Sequence, residues 1–105
     1  MQSYIFIGVS TEFEWDPAKA RRNQRLHGVS FETATEVFSD PFMVTQEDID
    51  NEGEQNLWAI GRTKSQVLLV VVFVDRSQPD IEIIRFISAR KAEKYEQSTY
   101  QDQFR

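Results

Sequence analysis

Three arginines lie near the ends of two predicted strands, and their chemistry suits a phosphate group. Arg62 ends the stretch "LWAIGR", Arg85 lies inside the apolar run "IEIIRFI", and Arg90 follows that run by three residues. A guanidinium group is planar, always charged and able to donate two parallel hydrogen bonds to phosphate oxygens. If the two strands are neighbours, the arginines can converge near one rim of a sheet and bind a polyanion backbone.

Arg85 also has a purely structural interpretation. A charged side chain within an apolar pattern is unfavourable unless it pairs with a carboxylate or reaches solvent. Glu82 and Glu54 are candidate partners, or the head group can extend to the sheet edge while its stem packs. For a single arginine this interpretation is favoured, whereas three arginines together favour anion binding.

A helix is predicted at Pro17 to His27, within "EWDPAKARRNQRLHG". Asp16 can cap its first turn, Pro17 suits the first helical position, and Gly28 suits the left-handed residue that follows a helix. His27 at the end of such a helix most often interacts with the C-terminal dipole.

A second helix is predicted directly afterwards and completes a short helical hairpin. Ser30 can cap it, and it must end before Pro41, because proline disfavours helical backbone at the residue before it. The apolar residues between these limits recur at helical spacing on one face: Phe31, Ala34, Val37 and Phe38.

After Pro41 the hydrophobic pattern changes to that of strands. The predicted strands are "FMVTQ", "NLWAIGRT", "VLLVVVFV" and "IEIIRFI", with the third apolar on both faces and therefore central. A last helix is expected from about Ala89, capped by Ser88. The fold class is α+β: two N-terminal helices packed on a four-stranded or slightly larger antiparallel sheet, with a C-terminal helix.

Length and composition favour a single domain over residues 1–105, with residues 1–12 as an N-terminal extension that is a strand or ordered segment. There is no cysteine, and His27 is the only histidine, so disulfides, iron–sulfur clusters and ordinary zinc sites are excluded. We expect no metal and no cofactor. The apolar stretches are too short for a membrane segment, which predicts a cytoplasmic protein without a membrane partner.

The net charge of −5 hides a strong asymmetry. Gly28 to Trp58 contains eight acidic residues and no Lys or Arg, whereas the rest of the chain has twelve basic and nine acidic residues. The segment charges are therefore −8 and +3. An acidic protein with this bipolar charge can still bind a polyanion.

The stretches "FEWDPAKARRNQRLHGVSFETATEVFSDP", "LWAIGRT", "LLVVVF" and "IRFISARKAEKYE" together resemble the BrnT family of toxins from bacterial type II toxin–antitoxin modules. The resemblance extends from Phe13 to about Tyr95. It implies a RelE-like fold and a metal-independent endoribonuclease that inhibits translation. It also implies neutralisation by a BrnA-like ribbon–helix–helix antitoxin, through which alone the complex would contact operator DNA.

By this resemblance Arg62, Arg85 and Arg90 are assigned to a catalytic cluster that binds the phosphate and its transition state. Lys91 and His27 are weaker candidates for proton transfer or RNA contact. The expected reaction is attack of an RNA 2′-hydroxyl on the adjacent phosphorus, which leaves a 2′,3′-cyclic phosphate. Two alternatives remain open: a non-catalytic module that binds the antitoxin in operon autoregulation, and a ParE-like inhibitor of a DNA-handling enzyme.

Overall fold

The computed structural model describes residues 2–6, 11–49, 53 and 55–105. Within these residues the chain forms six strands, three α-helices and one 3₁₀ turn. The strands are β1 (Gln2–Phe6), β2 (Thr11–Trp15), β3 (Val44–Ile49), β4 (Gln55–Arg62), β5 (Leu68–Asp75) and β6 (Glu82–Lys91). The helices are α1 (Pro17–His27), α2 (Phe31–Ala34) and α3 (Lys94–Asp102), with the 3₁₀ turn at Thr35–Ser39.

The strands form one sheet in the order β1-β2-β6-β5-β4-β3, which makes β5 an interior strand as predicted. Neighbouring strands are antiparallel except for β2 and β6, which are parallel. The prediction of an all-antiparallel sheet is therefore wrong in its N-terminal part. The signal for β2 is the alternation of buried Phe13 and Trp15 with half-buried Glu12 and Glu14.

The α+β class is confirmed, and so is the first helix. In α1 the Asp16 carboxylate accepts a hydrogen bond from the Ala18 N–H at 2.9 Å, and Gly28 has a φ of 68°. The second predicted helix is wrong in length, because only one α-helical turn forms before a 3₁₀ turn. β-branched residues at Thr33, Thr35 and Val37 favour the helical state weakly, which is consistent with this early end.

The C-terminal helix begins later than the sequence predicts. Ala89 and Arg90 still belong to β6, because they pair with Val71 and Val70 of β5. The cap is Glu93 and not Ser88: Glu93 and Glu96 form a reciprocal capping box at the start of α3. This correction places Arg90 on a strand, where its side chain has a defined face.

The two faces of the sheet carry separate cores. The face that we call the α1 face packs against α1, α2 and the 3₁₀ turn, with a core of Phe13, Trp15, Phe31, Val37, Val71 and Phe86 among others. The opposite face, the α3 face, packs Ile60 and Val70 against Ala92 and Tyr100. No helix among the described residues is long and apolar enough to span a membrane.

Candidate functional site

The strand register places the three predicted arginines on the α3 face. Arg62 pairs with Leu68 in β5, and Arg90 pairs with Val70, which belongs to the core of this face. Arg85 precedes Phe86, whose side chain lies in the core of the α1 face, so Arg85 points the other way. The prediction that the three share one face agrees with this register.

Arg90 is held by a carboxylate of α3. Its Nη1 and Nη2 donate to Oε1 and Oε2 of Glu96 at 2.7 and 2.8 Å, a bidentate pair. The Glu96 side chain is only 3% exposed, whereas that of Arg90 is 27% exposed. The hydrogen bonds from Arg90 hold the pKa of Glu96 below its usual value, although burial opposes the shift. The guanidinium also lies 5.8 Å from the centroid of the Trp58 ring.

Asp40 and Tyr100 fix the end of β4 where Arg62 lies. One oxygen of Asp40 accepts hydrogen bonds from the Arg62 backbone N–H and the Tyr100 hydroxyl, both at 2.8 Å, and the other accepts from the Phe42 N–H at 2.9 Å. Burial alone would raise the pKa of Asp40, but these hydrogen bonds and the Arg62 charge lower it. The carboxylate therefore stays ionised and joins β4 to α3.

Arg62 lines a cleft between the β4–β5 hairpin and α3. Its Nη1 donates to Gln66 Oε1 at 3.3 Å, and its Cζ lies 5.4 Å from the Tyr100 ring centroid. The cleft has a volume of about 360 Å³ and is lined by Arg62, Gln66, Val67, Leu68, Lys91, Ala92, Gln97 and Gln101. Two cations and three amides face this space and no carboxylate lines it, so the cleft favours an anion.

Arg62 and Lys91 thus both line this cleft, and Arg85 does not. Arg85 pairs with Val74, four residues along β5 from the partner of Arg90. Its Nη1 lies 3.7 Å from Glu14 Oε1. This partner is on the parallel strand β2, which the sequence did not predict; Glu54, one of the partners considered, lies outside the described residues.

His27 lies in a different groove, formed by α1 and β6. This groove has a volume of about 280 Å³ and is lined by Lys19, Arg22, Asn23, Leu26, His27, Ile87 and Ser88. It shares no lining residue with the Arg62–Lys91 cleft. His27 therefore lies outside the lining of the cleft.

Asp40, Glu96 and Tyr100 are site residues that sequence reasoning missed. Asp40 and Tyr100 contact Arg62, which is distant along the chain, and Glu96 pairs with Arg90 across the connection between β6 and α3. Single pairs of this kind leave no periodic signal in the sequence. The spacing of Glu93 and Glu96 is one local signal that could have located Glu96. A capping residue followed by Glu three positions later is the pattern of a capping box at the start of a helix. Among the described residues, no group of three His, Asp or Glu side chains could hold a metal ion.

The fold is similar to that of a bacterial toxin of known structure. The crystal structure of the Brucella abortus ribonuclease toxin, BrnT, superimposes with a TM-score of 0.53 at 21% sequence identity. The match covers 78% of this chain and 96% of the Brucella chain. The chain therefore shares the α+β fold of that protein. No curated protein matches the chain.

Sequence similarity extends this result from the fold to the family. Residues 15–96 match the model of the family described as "Ribonuclease toxin, BrnT, of type II toxin-antitoxin system". The chain belongs to the BrnT toxin family of type II toxin–antitoxin systems. Membership in a type II system implies an antitoxin partner.

Proposed function

We propose that this protein is a RelE-like, metal-independent endoribonuclease that inhibits translation in the cytoplasm. The observation that carries the proposal is the cleft between the β4–β5 hairpin and α3. There Arg62 and Lys91 face one space without a carboxylate in its lining, in a protein whose overall charge is −5. Membership in a family of ribonuclease toxins supports RNA as the polyanion.

The proposed reaction is transfer of the phosphoryl group within the RNA chain. The 2′-oxygen forms a bond to phosphorus as its proton leaves, the bond from phosphorus to the 5′-oxygen breaks, and the 5′-oxygen accepts a proton. Arg62 donates hydrogen bonds to the phosphate oxygens, which gain negative charge in the transition state. Lys91 neutralises the adjacent phosphate or protonates the leaving oxygen. Residues 15–96 of the family match include both groups.

Arg90 and Arg85 have a second role in this proposal. Both lie on the α3 face but are paired with carboxylates, Arg90 with Glu96 and Arg85 with Glu14. The exposed fraction of Arg90 and its position beside Trp58 would let it contact RNA at the edge of α3. Arg85 would bind the RNA chain further along the same face.

The antitoxin of this system is proposed to be BrnA-like, with a ribbon–helix–helix region that binds operator DNA. An acidic segment of the antitoxin would occupy the Arg62–Lys91 cleft and exclude RNA. A second candidate function is a non-catalytic module that binds the antitoxin in operon autoregulation. The bidentate pair between Arg90 and Glu96 favours this alternative, because it neutralises one of the three predicted catalytic arginines.

The test is cleavage of RNA by the antitoxin-free protein in EDTA, with Arg62→Met as the decisive variant. We expect cleavage in EDTA with cyclic phosphate ends, and a loss of about 10²–10³-fold in kcat for Arg62→Met, typical for removal of one transition-state contact. Arg105→Met is the matched control, because Arg105 lies on the surface at 76% exposure and its ion pair, with Asp102, is also exposed.

Thermal unfolding of both variants shows whether a loss of activity reflects a loss of fold. Full activity of a folded Arg62→Met protein would exclude this site. Tight antitoxin binding by a wild-type protein that cuts no RNA would favour the non-catalytic alternative.

A further inference from the structure

The groove between α1 and β6 carries cations that form no ion pair with an acidic residue in the described part of the chain. Lys19, Arg22 and His27 line it. α1 itself contains no Asp or Glu. Cations that are kept free of carboxylates on a rigid surface can bind an anionic ligand without first breaking an internal pair.

The groove is rigid because Asn23 attaches α1 to the sheet. The buried Asn23 amide donates to the Val29 and Ala89 carbonyl oxygens at 2.9 and 2.7 Å, and its Oδ1 accepts from the Ala89 N–H at 3.0 Å. Arg22 and Asn23 follow Lys19 by three and four residues, so both lie near Lys19 on the same side of the helix. The same face that is fixed to β6 therefore presents the two cations along the groove.

The groove also has apolar walls beside its charges. Leu26 of α1 is 62% exposed, and Ile87 of β6 lies opposite in the same groove. A nucleotide strand has a charged backbone and apolar base faces, so it matches a surface on which cations and apolar side chains alternate. A small inorganic anion would bind the cations of the groove without contacting its apolar walls.

A hollow at the end of α1 lies beside the Arg62–Lys91 cleft, with which it shares Val67 and Lys91. The hollow has a volume of about 260 Å³, and its wall includes Gln24 and Gly28 at the end of α1. The lining of the groove includes Asn23 and His27, which are the sequence neighbours of Gln24 and Gly28 in the hollow. An extended strand that leaves the cleft can therefore cross the end of α1 and enter the groove.

We propose that the groove formed by Lys19, Arg22, Leu26, His27 and Ile87 binds the sugar–phosphate backbone of single-stranded RNA beside the cleaved linkage. The choice of RNA rests on the proposed function of the neighbouring cleft. The groove supplies affinity and not chemistry. Its loss therefore raises KM and the dissociation constant while kcat is maintained.

The test compares two double variants of the same helix that remove the same charge. Lys19→Gln with Arg22→Gln changes the groove, whereas Arg21→Gln with Arg25→Gln changes exposed residues that line neither the groove nor the cleft. The probe is a short fluorescein-labelled single-stranded RNA with 2′-methoxy groups, which cannot be cleaved. Binding is followed by fluorescence anisotropy at several salt concentrations.

We expect the groove variant to lose about tenfold in affinity, as for hydrogen bonds to charged groups, and the control variant no more than about threefold. The slope of log K against log salt should become shallower by about 1.4 in the groove variant, because two phosphate contacts are lost. Equal losses in the two variants would overturn the inference, since net charge alone would explain them. Tighter binding of duplex DNA than of RNA by the wild-type protein would overturn it as well.

Cleavage of unmodified RNA, measured in parallel, separates this inference from the proposed function. If RNA binds through the groove but is not cut, the groove assignment stands and the ribonuclease proposal fails. If RNA is cut at the normal rate and both variants bind it like the wild type, the groove assignment fails alone.

Discussion

Helices α1 and α3 attach to opposite faces of one sheet by different chemistry. α1 is attached by Asn23, a neutral side chain that makes hydrogen bonds with the backbone of Val29 and Ala89. α3 is attached by ionised groups: Glu96 pairs with Arg90, and Asp40 accepts a hydrogen bond from Tyr100. One contact is indifferent to pH, and the other depends on carboxylates that can be protonated.

The cations beside the two helices differ in the same way. Arg90 is bound by a carboxylate of α3, whereas Lys19 and Arg22 of α1 form no ion pair with a described carboxylate. A cation that stabilises a transition state must be held in position before the reaction, and a hydrogen-bonded neighbour does this. A cation that binds a flexible backbone needs access more than orientation. The protein thus places an oriented cation, Arg90, beside α3 and accessible cations on α1.

The largest effect should follow from removing the neutral contact of α1. Asn23→Leu keeps the side-chain volume but leaves the Ala89 N–H and two carbonyl groups buried without partners. We expect the free energy of unfolding to fall by about 3 kcal/mol in urea denaturation. Gln24→Leu, at the adjacent exposed position, is the control and should change it by less than about 0.5 kcal/mol. Similar values for the two variants would contradict the role of Asn23 as the attachment of α1.

A smaller effect should follow from removing the charge under α3. Glu96→Gln keeps the shape of the side chain but leaves Arg90 without its bidentate partner, and we expect a loss of about 2 kcal/mol in stability. Asp102→Asn removes the other acid of α3 that pairs with an arginine, but this pair is exposed, with Asp102 at 60%. Its loss should be under about 0.5 kcal/mol. Equal losses in urea denaturation would show that burial of the Arg90–Glu96 pair has no energetic consequence.

The smallest effect should be a loosening of α3 as the pH falls to about 4 and below. The pKa values of Asp40 and Glu96 are both lowered by folding, so the unfolded state binds protons more readily than the folded state. The two carboxylates contribute their full stabilisation of the fold above the pKa of an unperturbed carboxyl, about 4. This contribution is lost as the pH falls through the lower pKa values that they have in the folded protein. We expect a loss of about 1 kcal/mol near the start of this range.

The two tryptophans can report this loosening separately. Trp58 lies under Arg90 on the α3 face, and Trp15 lies in the core of the α1 face. In a Trp15→Phe protein the remaining fluorescence should change with falling pH before global unfolding, whereas in a Trp58→Phe protein it should change only with global unfolding. A simultaneous change in both proteins would show that α1 and α3 do not differ in pH sensitivity.

Local patterns accounted for the elements whose ends are marked by single residues. Asp16, Pro17 and Gly28 determined the limits of α1, and the apolar run of β5 determined its interior position in the sheet. The wrong predictions concern strands whose limits and neighbours depend on a pairing partner that is distant in the sequence. β6 continues to Lys91 because β5 pairs with it, and β2 joins the sheet through a parallel partner about 70 residues away.

The sequence by itself determined the family and the α+β class, and it indicated arginine guanidinium groups as ligands for a phosphate. These inferences depend on residue types and local spacing. Only the tertiary structure decided which cations meet. Arg62 and Lys91 face one cleft, Arg85 pairs with Glu14, and Arg90 is bound by Glu96. These pairings depend on strand register and on where α3 begins, and a shift of one residue in either would turn the side chains to the other face.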